Sequence, residues 1–461
     1  MISRSGESIL ITQDELRDLV FQTLEETALR HGFSFPRSGK TADDFSNVWK
    51  NEGVEAQHPS KVWKKVLILP PDHTRLNSQA GPITAMAYER LTACGVKVDI
   101  LPTLGTHNPM TEKQLRMMFG DTIPLDAFKV HDWRNGVVRK GEVPGEMLAE
   151  LSGGKVNYTV GVEVNRMLFD GYDLILSVGQ VVPHEVVGMA NYTKNIVVGA
   201  GGADIINKSH FLGAVCNMET ILGQTDTPVR RLFNYAVDTF LSDLPITYIL
   251  TVMEPDYTAG KMHMRGFYAG DDVQVYNEAC KLARKVNINL LDREPKKMVV
   301  YLDPHEFQST WLGNKAVYRT RMAIADGGEL IVLAPALKEF GEDHKIDELI
   351  RKYGYRGTPA TLAAVGENEE LRSNLSAAAH LIHGSSEGRF SITYCPGPGV
   401  TLDEVRSVGF NAVPYEQMAA RYNPEKLKDG FNTMPDGEEI FYISNPALGL
   451  WAYREKFGEN S

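Results

Sequence analysis

From residue 64 onward, short apolar runs that read as strands alternate with amphipathic runs that read as helices, and this restricts the fold more than any other feature. "KKVLILP" is a strand, "PITAMAYERLTACG" a helix stopped at Gly95, "VKVDILPT" a strand and "TEKQLRMMFG" a helix. "YDLILSVG" (172–179) and "PITYILTVM" (245–253) are further strands, and "DDVQVYNEACKLARKVN" (271–287) is a further helix. A chain patterned this way buries its strands between helical layers. The fold class is therefore α/β with a largely parallel sheet.

The 461 residues exceed what one core accommodates, so two domains are expected. "INLLDREPK" (around 288–296) reads as a hinge. A second alternating series follows: "KMVVYLDP", a helix near 311–325, "GELIVLAP" (328–335), "HKIDELIRKYG", "NEELRSNLSAAAHLIHG" and "RFSITYCPG" (389–397). This reads as a small doubly wound domain. The resulting division is an N-terminal extension packed on the first domain (1–60), an α/β domain (61–290), a second α/β domain (291–435) and a tail (436–461). The extension carries a helix over 13–31, with Leu16, Val20, Leu24 and Leu29 near helical spacing, then a polar loop over 33–60. The tail has its own strand, "EEIFYIS", and can return to the first domain or stay with the second.

Composition excludes several classes. The chain is 43% apolar and 23% charged, the makeup of an ordinary globular protein. A formal charge of −11 argues against general nucleic-acid binding, which needs a basic face, while leaving room for a local pocket that takes a small anion. Cys94, Cys216, Cys280 and Cys395 are scattered without a CxxC pair, as expected of reduced thiols in a cytoplasmic protein rather than a cysteine metal cluster. The N-terminus has no apolar segment of the secretory kind, and no run approaches the roughly 20 apolar residues of a membrane span.

In open α/β sheets ligands bind beyond the carboxyl ends of the strands. "LILPPDHTR" places Asp72 and Arg75 at such an end. Arg75 can hold a carboxylate in two parallel bonds, or simply close a surface turn with an ion pair. "ILPTLGTHNPMT" places His107 between Gly105 and Pro109, where a lone histidine serves catalysis or structure. "VVPHEVVGMANYTKNIVVG" (181–199), continued through "AGGADIINKSH", supplies His184, Lys194 and His210. Its "GAGG" is a tight turn and not a dinucleotide fingerprint, because the GxGxxG pattern is missing. Two neutral histidines can act as acid and base near neutral pH, a third can bind a metal, and the arginine can fix a carboxylate.

These motifs, in this order and spacing, resemble the nickel-dependent lactate racemase family of 2-hydroxyacid racemases and epimerases. The resemblance is carried by "DHTR" (72–75), "GTHNPMT" (105–111), "GVEVNR" (161–166), "PH" (183–184), the K-x-I-V-x-G at 194–199 and the segment ending in His210. It covers most of 64–215 and runs more loosely through 296–410. The resemblance implies two α/β domains with the active site in the cleft between them, 61–290 being the catalytic and cofactor-binding one. It implies a covalently attached nickel-pincer nucleotide, with Lys194 as the attachment point, Asp72 as an active-site neighbour and His210 as the protein ligand to nickel. His107 and His184 fall at the two acid/base positions, Arg75 at the substrate carboxylate, and Lys315 in "WLGNKAVYR" at a substrate-side position. Proteins that synthesise and load the cofactor would be partners, beside a small 2-hydroxyacid, with no nucleic acid or membrane.

The chemistry is coherent. The α C–H beside a carboxylate is too weak an acid for histidines alone, whereas removing hydride builds no carbanion, and a pyridinium carbon tuned by the metal can accept it. The departures bear on the substrate. Leu312 stands where the family commonly has glutamine, Asn191, Tyr192 and Thr193 where lactate racemases often have two glycines and an arginine, and Leu76 where proline is common. Together with the long N-terminal extension, these suggest a hydroxyacid larger than lactate, such as a sugar acid. The alternatives are a nickel-independent dehydrogenase- or lyase-like hydroxyacid enzyme, or a non-catalytic carboxylate- or cofactor-binding protein.

Overall fold

A computed structural model describes residues 1–34, 61–256, 261–341, 343–447 and 449–457. Most of the polar loop expected over 33–60 lies outside the described residues. The chain divides into two compact units. The first comprises Met1–Leu151, Asn157–Ile206 and Gly223–Val286; the second comprises Ser152–Val156, Asn207–Leu222 and Asn287–Ser461.

The first unit is built on a six-stranded sheet in the order Ile2–Ser5, Lys261–Gly270, Ile246–Asp256, Leu174–Gln180, Lys65–Leu69, Lys97–Ile100. The last four strands are parallel, and the first two join antiparallel at one edge. Val66, Ile68, Leu174, Leu176 and Ile249 are completely buried, as expected for strands covered by helices. The N-terminal helix Gln13–Arg30 starts at a capping box of Thr12 and Glu15 and sets Leu16, Val20 and Leu24 into the same core. Burial of each contributes about 2 kcal/mol. The strand Lys261–Gly270 and the antiparallel pair Val137–Val143 and Val160–Asn165 were not expected from the sequence, because their half-exposed residues break the apolar runs.

The second unit has its own six-stranded sheet, ordered Asn411–Ala412, Ser391–Pro396, Glu329–Ala334, Lys297–Tyr301, Glu439–Ile443, Gly430–Thr433, parallel except for the last strand. The single helix expected near 311–325 is instead two short helices, Thr310–Gly313 and Lys315–Tyr318. Asn314 interrupts them, its Oδ1 accepting the Tyr394 hydroxyl at 2.8 Å.

The compact units bear on two points of the expected division, one of them left open by the sequence. The tail does not return to the first unit: Glu439–Ile443 pairs beside Lys297–Tyr301, and Leu450–Tyr453 pairs with Ile288–Leu291. Residues 207–222, expected within the first domain, group with the second unit. Met218 and Leu222 pack there with Ile288, Tyr318, Met322 and Leu450, and Glu219 pairs with Arg321 and Arg389. No helix among the described residues is long and apolar enough to cross a membrane, and none of the four cysteines forms a disulfide among the described residues.

Candidate active site

The central strand Lys65–Leu69 has Lys97–Ile100 on one side and Leu174–Gln180 on the other, all parallel. The chain goes to one neighbour first and the other later, so the connections diverge beyond the carboxyl ends and open a crevice there. The three segments that leave these strands carry Asp72 and Arg75, then His107, then His184 and Lys194.

Asp72 caps the 3-10 turn His73–Ser78: its Oδ1 accepts the Thr74 backbone N–H at 3.1 Å. Its Oδ2 faces His107 Nδ1 at 2.6 Å. Burial alone would push the Asp72 carboxyl up. Hydrogen bonds from His107 and Thr74, with the charges of His107 and Arg75, outweigh burial and hold it below the ordinary value. An ionised carboxylate only accepts, so Nδ1 of His107 carries the proton and Nε2 keeps its lone pair. His184 is wired the other way. Its Nδ1 accepts the Val186 backbone N–H at 3.1 Å, so the proton of the neutral ring sits on Nε2. One ring thus offers a base and the other an acid.

Lys194 begins a single π-helical turn, Asn195–Gly199, a geometry found disproportionately at functional sites. The turn is anchored by Asn195, which nothing in the sequence singled out. Its amide donates to Leu69 O at 3.0 Å and Ser177 Oγ at 2.9 Å, and its Oδ1 accepts from Thr103 Oγ1 at 2.7 Å. One side chain therefore ties the ends of all three strands to the base of Lys194. Gly105 N–H donates to Gly199 O at 2.9 Å, fastening the His107 segment to the same turn. A Cβ at Gly201 would fall 1.9 Å from Val197 O, so the "GAGG" stretch is a close backbone packing, in keeping with its reading as a turn.

The Lys194 amine is lowered to about 8, first by burial and then by Arg75, with Arg230 adding and Glu185 and Asp72 opposing. Asp72, Arg75 and Glu185 thus lie within electrostatic reach of it. Arg75 touches Thr74 O at 3.3 Å and has no carboxylate within ion-pair distance among the described residues, which suits a group that takes up an external carboxylate.

Lys194 is preceded by two residues in the left-handed region, Asn191 (φ 64°) and Tyr192 (φ 58°). This conformation is natural for glycine and costs about 1–2 kcal/mol for other residues. Here other contacts hold the strain. The Asn191 amide occupies space that a Cβ at Gly179 would enter at 1.9 Å, and Tyr192 packs against Tyr248 and Tyr276 at centroid distances of 4.4 and 5.2 Å. In "GVEVNR", Asn165 donates to His131 Nδ1 at 2.9 Å, and His131 Nε2 donates to Gly201 O at 3.0 Å. That motif therefore braces the glycine turn from behind.

His210 and Lys315 fall in the second unit. His210 lies on the helix Ala203–Val215, which crosses the unit boundary after Ile206. Lys315 opens the short helix Lys315–Tyr318, with Nζ 3.8 Å from Glu306 Oε1. Among the described residues no three His, Cys, Asp or Glu are grouped to hold a metal.

Residues 51–221 match the family described as the lactate racemase N-terminal domain. This part of the chain is similar to a lactate racemase N-terminal domain. It contains Asp72, Arg75, His107, His184, Lys194 and His210. The lactate racemase of Thermoanaerobacterium thermosaccharolyticum is 24% identical over 281 residues, a match spanning 59% of this chain and 60% of that one. The lactate racemase apoprotein structure from the same organism superposes with a TM-score of 0.64 at 16% identity, covering 98% of this chain and 94% of that one. A crystal structure of a Thermotoga maritima protein superposes with a TM-score of 0.74 at 20% identity, covering 98% and 100%. Both are likenesses of fold.

Proposed function

We propose that this protein is a 2-hydroxyacid racemase or epimerase that uses a lysine-tethered nickel-pincer nucleotide. The observation that carries the reading is the Asp72–His107 pair set beside the desolvated Lys194 amine and the unpaired Arg75, within a segment similar to a lactate racemase N-terminal domain. When bound, the nucleotide supplies a carbon that takes hydride from the substrate Cα and returns it.

The chain's own residues do the rest. Arg75 holds the substrate carboxylate with its planar fork. His107, kept in register by ionised Asp72, takes the hydroxyl proton at Nε2. His184, in its imidazolium form, gives the proton from Nε2 when the keto group is reduced from the opposite face and is left neutral, and the two exchange roles in reverse. Lys194 is the attachment point, and proteins that make the nucleotide are needed to load it. The roles of His210 as metal ligand and Lys315 as a substrate-side cation rest on the family resemblance. Exposed Leu312 and the long N-terminal extension are what support a substrate larger than lactate, such as a sugar acid.

The test is a screen of hydroxyacids, sugar acids included, with protein made in cells that synthesise the cofactor, run in deuterated water. Internal hydride return leaves the Cα hydrogen in place. Uptake of deuterium at Cα, or full activity without nickel, would overturn the mechanism in favour of a lyase- or dehydrogenase-like reaction. Intact mass should rise on Lys194 in loaded protein and not in Lys194→Ala. Arg75→Lys is expected to raise KM about tenfold with a smaller change in kcat, since a bidentate bond becomes a point contact. Unchanged KM would remove Arg75 from the carboxylate.

A further inference from the structure

Arg230 is the feature that the proposed reaction leaves unexplained. It lies in the first turn of the helix Pro228–Phe240 and is almost completely buried, at 2% exposure. A buried guanidinium ordinarily has a carboxylate partner. Arg230 has none among the described residues. Every polar contact it makes is to a neutral group: Nη2 donates to Met189 O at 2.8 Å and Asn191 O at 3.1 Å, Nη1 to Thr193 Oγ1 at 2.7 Å, and Nε to the Tyr276 hydroxyl at 3.1 Å. Its guanidinium also lies 4.3 Å from the Tyr276 ring centre. Three of these acceptors belong to residues 189, 191 and 193, the left-handed turn that delivers Lys194.

We propose that Arg230 is the positioning residue for Lys194: its fork clamps the turn 189–193 that delivers the lysine, and it brings a charge with no carboxylate partner among the described residues to that turn. The clamp matters because a strained turn persists only when its surroundings over-determine it. The charge acts together with Arg75, from the turn His73–Ser78, against Asp72 and against Glu185 of the His184 segment. Lys194 is half-buried as a residue, and labelling reads its desolvated amine directly. The inference deepens the reading of Lys194 as attachment point, and the test is independent of loading.

The test is competitive labelling of the apoprotein with trace acetic anhydride, from about pH 6 to about pH 11, read by peptide mass spectrometry at Lys194. Each acetyl transfer forms one N–C bond at Nζ, releases acetate and sends the amine proton to water. Wild-type Lys194 is expected to label with a midpoint well below the ordinary lysine value. Arg230→Met should move the midpoint up by about half a unit or more, cutting labelling near neutral pH roughly threefold. Arg230→Lys, which keeps the cation but loses the fork, should shift the midpoint by clearly less than Arg230→Met. Should Arg230→Met fail to fold by circular dichroism, Arg230→Gln carries the same expectation. An ordinary midpoint in the wild type, an unchanged midpoint in a folded neutral variant, or an equal shift in Arg230→Lys would each overturn the proposal. Loss of covalent loading with this labelling pattern intact would instead count against the attachment role of Lys194.

Discussion

Replacing His107 by alanine is expected to lower hydroxyacid racemisation by about 10²–10⁴-fold while leaving the protein folded and Lys194 able to be loaded. The ring is half exposed, so little packing is lost, and its only side-chain partner among the described residues is Asp72. Asp72→Asn should give a smaller loss, about 10²-fold, since the amide oxygen still accepts from Nδ1 but no longer stabilises the protonated ring. Both are measured polarimetrically on loaded enzyme, with intact mass to verify loading. Near-wild-type turnover in His107→Ala would remove this histidine from the reaction. His184→Ala is expected to be as damaging, because no second Nε2 donor replaces it. The Asp72 carboxyl is held low, so the stability it contributes is present above the ordinary carboxylate value and is lost as pH falls through the folded value.

The second large effect is on stability and has the opposite sign. Lys194→Met should make the apoprotein more stable at neutral pH, by about 2 kcal/mol after allowance for the part of the side chain that water reaches. The amine is lowered to about 8, so the unfolded chain binds the proton more tightly than the folded one. The cost is full below the folded value, shrinks as pH rises, and vanishes above the ordinary lysine value. Urea unfolding followed by a probe of the first unit, at neutral and at strongly alkaline pH, should show the gain in the first condition and its loss in the second. An equal gain at both would mean better packing by methionine and no ammonium penalty. Such a penalty at a functional amine is the stability cost of keeping a nucleophile ready.

The alternation after residue 64 was sufficient for the α/β class, and the strands ending at Leu69, Ile100 and Gln180 are where the apolar runs placed them. Asp72, Arg75, His107, His184 and Lys194 stood out as candidates because each lies in a segment that leaves such a run. Asn195, Arg230 and Asn165 were not, since a lone amide in an apolar run or an arginine on a helix carries no signal until its partners are known. The left-handed backbone at Asn191 and Tyr192 was likewise hidden, because it is set by contacts with Gly179, Tyr248 and Tyr276 rather than by local preference. The antiparallel strand Lys261–Gly270 escaped because its exposed end mixes histidine, methionine and arginine.

By itself, the sequence determined the layer class, the strand ends and which chemically able side chains stand just beyond them, since hydrophobic periodicity and turn residues are local properties. Only the tertiary structure decided which of those side chains share a charge environment, which nitrogen of each histidine carries the proton, and that a buried arginine from a distant helix holds the turn before Lys194. Electrostatics and hydrogen bonding depend on distances between residues far apart in the chain, and no local pattern encodes those distances.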